Sequence, residues 1–167
     1  KAKNVTCEAA YGWLPTPVRG GHDFTGWFDQ PFGGKEVGFG AEVGAVGDHT
    51  LYAHWQARLH AVSVAYGGTG GGTVEGVGEY PFGTEVLLKA KPFEGSRFVR
   101  WADGETLKER RVRVTGDVTL KAVFDVATYN VSFAYRDASG TLVTTPPVTV
   151  SHGEGVTPPS EELCGRW

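Results

Sequence analysis

HAVSVAY at residues 60–66 and TLKAVF at residues 119–124 are the stretches whose reading decides the fold. In the second, alternation with period 2 puts Leu120, Ala122 and Phe124, with the preceding Val118, on one face of a strand. Thr119 and Lys121 fall on the other. The first stretch alternates apolar with small or polar residues in the same way. Between them lie a glycine-rich turn, GGTGGG at 67–72, the run EVLLKAK at 85–91, the aromatic cluster FVRW at 98–101 and RVRV at 111–114. A sheet with one wet face is the economical reading, and residues 58–126 form one complete unit.

The remaining chain repeats parts of this unit. TLYAHW at 50–55 matches TLKAVF at 119–124, and FTGW at 24–27 matches FVRW at 98–101. CGRW at 164–167 matches FVRW again, with Cys164 in place of phenylalanine. A proline precedes each tryptophan at a similar interval: Pro17 by ten residues, Pro92 by nine and Pro158 by nine. The opening strand recurs as YNVSFAY at 129–135. The chain therefore reads as a tandem array with a period of about 70 residues.

These anchors carry a family resemblance. LPTP at 14–17, FTGWF at 24–28, the glycines at 33–34 and TLYAHW at 50–55 resemble the internalin-type B-repeat of bacterial surface proteins. GGTV at 71–74, YPFGTEV at 80–86, FVRWAD at 98–103 and VTGDVTLKAVF at 114–124 resemble its divergent branch. YNVSFAYRD at 129–137, Gly140 and VTVSHG at 148–153 resemble the front half of another copy. The resemblance implies a β-dominated chain of tandem small β-grasp-like (ubiquitin-like) modules. The expected units are 1–57, lacking its opening strand, 58–126, complete, and 127–167, which stops at its tryptophan.

Composition agrees with a β-dominated class: 25 glycines, 12% aromatic residues and little helical periodicity. Each expected unit is near the lower size at which a chain buries enough surface to fold alone. A net charge of −3 gives no electrostatic case for nucleic acid or an anionic membrane. The densest basic run, KERRVR at 108–113, reads as a solvated strand or hairpin; as a strand it turns Lys108, Arg110 and Val112 one way. No apolar run is long enough for membrane insertion within this segment. The absence of a signal peptide and of an initiating methionine suits an excised or mature segment. Scarce cysteine suits an exported bacterial protein that relies on burial rather than disulfides. The sequons at Asn4 and Asn130 read as strand residues in that context.

Residues 1–8 suggest a short strand, 23–28 and 50–56 two more, and DASG at 137–140 a hairpin turn. LPTPV at 14–18 fails as a sortase signal, lacking the threonine and glycine at their positions. The junctions at 57–59 and 125–128 are short and have no Ser/Gly-rich spacer, so an extended, semi-rigid array is expected.

Each catalytic motif yields to a structural reading. The glycine run carries no Gly-Lys-Ser/Thr ending, and Thr73 stands where a dinucleotide fingerprint needs its third glycine, so it reads as a hairpin turn. His49 and His54, taken as lying on one strand, are five apart and so face opposite ways. No nucleophile elbow exists, and glycosidase chemistry at Asp103–Glu105 or Glu161–Glu162 would need a cleft between the carboxylates, which small repeat units rarely provide. Cys7 and Cys164 occupy apolar strand positions and read as buried, inert thiols, too far apart in the array to bond. No cofactor and no metal is expected.

Trp27, Trp101 and Trp167 recur at matched positions and read as core anchors with locally satisfied N–H groups. Trp13, beside Tyr11 in a loop, has no counterpart, so these two are possible contact residues. The leading expectation is a non-enzymatic extracellular spacer or stalk of a bacterial surface or secreted protein. The alternative is an adhesive module engaging a host or envelope ligand, protein or glycan, through an exposed sheet edge or loop. Incomplete end units also suggest head-to-tail self-association.

Overall fold

A computed structural model of the chain describes residues 4, 9–44, 47–137 and 139–158. Among these residues no helix occurs, and the chain is β-dominated, with several small sheets. The tandem small-module expectation holds at that level, while the β-grasp assignment is not established by these strands. Apart from Asn4, the expected strand at 1–8 lies outside the described residues, as do both cysteines and Trp167.

Two compact units are present. One takes the described residues up to Val62 together with Glu79–Glu85 and Arg113–Val118; the other takes Ser63–Gly78, Val86–Val112 and the described residues from Thr119 onward. The first unit contains β1 (His22–Phe28) and β2 (Tyr52–Ala57), an antiparallel pair. Beside them Tyr11, Val37 and Val43 form a small core flanked by Leu14, Ala41 and Leu51.

The segment after β2 supplies β3 (Leu59–Gly67), β4 (Gly72–Glu75), β5 (Gly78–Pro81), β6 (Glu85–Pro92), β7 (Ser96–Trp101), β8 (Glu109–Arg113) and β9 (Val118–Val126). One sheet has the order β5-β3-β9-β7 and another the order β4-β6-β8. Period 2 governs burial: Val86, Leu88 and Ala90 are buried on β6, as are Ala122 and Phe124 on β9. The last segment forms β10 (Thr128–Val131), β11 (Ala134–Arg136), β12 (Leu142–Thr144) and β13 (Val148–Ser151). β11 pairs with β12 across the expected turn, in which the Asp137 carboxylate accepts the Ser139 and Thr141 amides. β10 pairs with β13. The single strand expected at 129–135 is thus two strands in two ladders.

The glycine run corrects a second expectation. It does not close a hairpin, because β3 and β4 belong to different sheets. Its glycines instead let the chain lie against β9: Gly70 N–H donates to the Phe124 carbonyl at 2.9 Å, and a Cβ on Gly72 would overlap the Phe124 ring. Local periodicity marks a turn but not the sheet into which the chain emerges.

The internal repeat is visible in the ladders themselves. On β1–β2, Phe24 pairs with Trp55 and Trp27 with Ala53, with a register shift between Phe24 and Gly26. On β7–β9, Phe98 pairs with Phe124 and Trp101 with Ala122, with a shift between Phe98 and Arg100. Phe24 meets Trp27 at 5.7 Å and 66°, and Phe98 meets Trp101 at 5.5 Å and 61°. Residues three apart point to opposite faces of a regular strand. The bulge inserts the extra residue that brings phenylalanine and tryptophan onto one face. Each indole N–H then finds a carbonyl: Trp27 donates to Pro15 at 2.8 Å and Trp101 to Leu107 at 2.9 Å.

Candidate functional site

The two contact candidates share a loop but have different surroundings. Tyr11 is buried against Val37 and Val43, its N–H donates to the Ala41 carbonyl, and its hydroxyl shares a 2.6 Å hydrogen bond with His49 Nε2. Trp13 is 84% exposed, and its ring makes an edge contact with Phe39 at 5.2 Å. Gly12, at φ +63°, separates them; its N–H donates to the Phe39 carbonyl, which ties the Trp13 loop to the Phe39 loop. The result is a pair of exposed aromatic rings standing on a small buried core. Sequence reasoning found Trp13 and missed Phe39. Phe39 lies between two glycines in a stretch without periodicity, so no pattern tied it to Trp13.

A second polar constellation surrounds Trp101. Arg110 lies over the indole at 5.4 Å and donates to Asp103 Oδ2 at 2.8 Å. Its Nε is buried with no hydrogen-bond partner. The Arg110 hydrogen bond holds the Asp103 carboxyl below the ordinary carboxylate range, against the opposing effect of desolvation. On β8, Arg110 and Val112 turn inward while Glu109, Arg111 and Arg113 face solvent, as the alternation of the basic run requires. A cleft beside this strand is lined by Leu87, Glu105, Leu107, Glu109, Arg110 and Arg111. The arrangement braces a core tryptophan, and its charges are largely neutralised within the strand layer, Lys89 pairing with Glu109 at 2.9 Å.

The histidines are dispersed. His54 stacks on Phe28 at 3.9 Å, whereas His49 precedes β2 and is not on its strand, contrary to the sequence reading. Among the described residues no three His, Cys, Asp or Glu side chains gather as a metal site would require. Among them, too, no helix is long and apolar enough to cross a membrane.

Residues 1–54 match the Listeria-Bacteroides repeat domain, and residues 62–128 match the divergent InlB B-repeat domain. A protein of Evansella cellulosilytica described as a Gly-rich membrane protein is 33% identical over 141 residues. That match covers 79% of this chain and 16% of the relative. No solved structure matches the chain. Repeats of these families are found in bacterial surface proteins and are generally non-catalytic. The matched ladders, the bulged Phe–Trp anchors and the two family matches together make this chain a member of the internalin-type B-repeat family.

Proposed function

We propose that this segment is a non-enzymatic extracellular spacer of a bacterial surface or secreted protein, holding another domain of that protein away from the envelope. The observation that carries this reading is what the two ladders share. Phe24 and Phe98, Trp27 and Trp101, Ala53 and Ala122, and the aromatic pair Trp55 and Phe124 occupy matched positions. The polar positions between them do not match: Asp23 stands opposite Gln56 where Arg97 stands opposite Asp125, and Gly26 opposite His54 where Arg100 stands opposite Val123. Repetition has kept packing and discarded chemistry, and a spacer needs only the packing. The test replaces this segment in its parent protein with an unrelated rigid repeat array of equal length. Retained activity of the displayed domain on whole cells supports the spacer; loss with normal surface expression overturns it.

A second reading, adhesion to a host protein or glycan, is favoured by the exposed Trp13–Phe39 pair. Aromatic residues dominate binding energy at interfaces. It expects Trp13→Ala to abolish capture of the segment on immobilised matrix proteins or a glycan array. Capture unchanged by that substitution removes the reading.

A further inference from the structure

The single residue between β2 and β3 is held from both sides. Arg58 N–H donates to the Gly21 carbonyl at 2.9 Å, and the Arg58 carbonyl accepts the Phe82 N–H at 2.8 Å. Gly21, at φ +70°, sits in a tight turn in which His22 N–H donates to the Arg19 carbonyl at 3.1 Å. The Phe82 ring covers Gly21, where any Cβ would overlap it, and lies 6.2 Å from His60 at 58°. Phe82 opens a second turn, closed by Thr84 N–H to the Pro81 carbonyl at 3.1 Å, with Gly83 at φ +89°. All of these residues lie within the first compact unit.

The same arrangement recurs wholly within the other unit. Ala127, the single residue between β9 and β10, donates to the Gly95 carbonyl at 2.8 Å and accepts the His152 N–H at 2.8 Å. Gly95 also has φ +70°, in a turn where Ser96 N–H donates to the Phe93 carbonyl at 3.0 Å. The His152 ring covers Gly95 and lies 6.1 Å from Tyr129 at 57°. Glu154 N–H closes the turn on the Ser151 carbonyl at 3.1 Å, with Gly153 at φ +84°. Gly21 and Gly95, Arg58 and Ala127, and Phe82 and His152 are each separated by about 70 residues, the period of the strands that flank them.

We propose that this is a socket and plug by which one repeat recognises the next: the glycine turn before the Phe–Trp strand is the socket, the aromatic turn of the following repeat is the plug, and the partner that fits is a further copy of the repeat. The chemistry is mostly backbone. The linker side chain differs between the copies, Arg58 pairing with Asp23 at 2.8 Å while Ala127 has only a methyl group. What both copies require is a glycine, whose missing Cβ admits a ring at contact distance and whose positive φ costs it little. They also require a flat ring and two carbonyls pointed at two amides. Phenylalanine and imidazole both meet that demand. A one-residue linker with both backbone groups engaged cannot swivel freely, so stability passes from copy to copy through the nearest-neighbour interface, as in other repeat arrays.

The experiment is native-state hydrogen exchange on the whole chain. Phe82→Ala alters a residue of the second copy, yet it is expected to speed exchange in the first, at the Arg58 amide and at Val37, whose N–H donates to Trp27, by about tenfold or more. Phe82→Leu, which keeps an apolar contact, should give a smaller rise at the same amides. Gly21→Val should open the Arg58 and Phe82 amides, whereas Gly33→Val, at φ +64° with open space around it, should leave both protected. His152→Ala should act likewise on the Ala127 and Ala102 amides. Exchange confined to residues 78–84 in Phe82→Ala, or equal opening by Gly33→Val, overturns the proposal.

Discussion

Phe124→Ala tests the repeat architecture at its best-packed point. The ring is 1% exposed, faces Phe98 at 5.6 Å and 71°, and meets Tyr66 at 6.3 Å. Truncating a buried phenylalanine costs about 3–5 kcal/mol, the lost transfer energy plus the cavity left behind. The upper half of that range applies, because the neighbour that lies on the ring is Gly72, which has no side chain to move into the void. Trp55 holds the matched ladder position in the other copy but is only half-buried, so Trp55→Ala should cost about half as much. The copies need not unfold in one transition, so amide exchange is the suitable assay. At about 1.4 kcal/mol per decade, Phe124→Ala should accelerate the Gly70 and Ala102 amides by at least two decades. Trp55→Ala should accelerate the Val37 amide by about one. Acceleration below tenfold in Phe124→Ala, or a larger effect from Trp55→Ala, would refute the assignment of these rings to equivalent but unequally buried positions.

Three further outcomes are expected. Trp101→Phe removes the indole N–H that serves the Leu107 carbonyl and the ring face under Arg110, so thermal unfolding should show a loss of about 1–3 kcal/mol; a neutral variant contradicts the anchor role. Trp13→Ala, at an 84% exposed ring, should leave stability within about 0.5 kcal/mol of the parent by the same measurement. Asp103, Asp117 and Asp137 are each held below the ordinary aspartate value of 3.8, chiefly by the Arg110 hydrogen bond, the Ala61 amide and the Ser139 hydroxyl respectively. A lowered folded-state value means that their stabilisation is present above 3.8 and is lost as pH falls through the folded values. Melting temperature should therefore drop on acidification below the carboxylate range, and a rise there would contradict the hydrogen bonds described.

Much of the strand placement was legible because burial in a half-wet sheet writes itself as alternation: β6 and β9 bury the residues their pattern names. The repeat was legible because large rings are irreplaceable in small cores, so Phe, Trp and their spacing survive where other positions drift. The destination of the GGTGGG turn was not legible, since turn residues state that the chain bends and not which sheet receives it. The Trp13–Phe39 contact joins two loops held by backbone hydrogen bonds, and no periodicity runs through either.

The bulge explains why one legible feature was still read incompletely. Strict period 2 places Phe98 and Trp101 on opposite faces, yet both are buried, at 8% and 0% exposure. One inserted residue, Val99 in one copy and Thr25 in the other, reverses the phase between the two rings. The inserted residues share β-branching but not polarity, valine in one copy and threonine in the other, so the bulge asks for a backbone conformation rather than a particular side-chain chemistry. The joints behave alike: Arg58 and Ala127 share no side-chain chemistry, and Phe82 and His152 share only a flat ring. Of the joint's parts only glycines are identical: Gly21 and Gly95, where positive φ and a covering ring leave no substitute, and Gly83 and Gly153, where positive φ closes the aromatic turn. Where a repeat is held by backbone geometry, its equivalence lies in a common interval and in isolated glycines, not in matched strings.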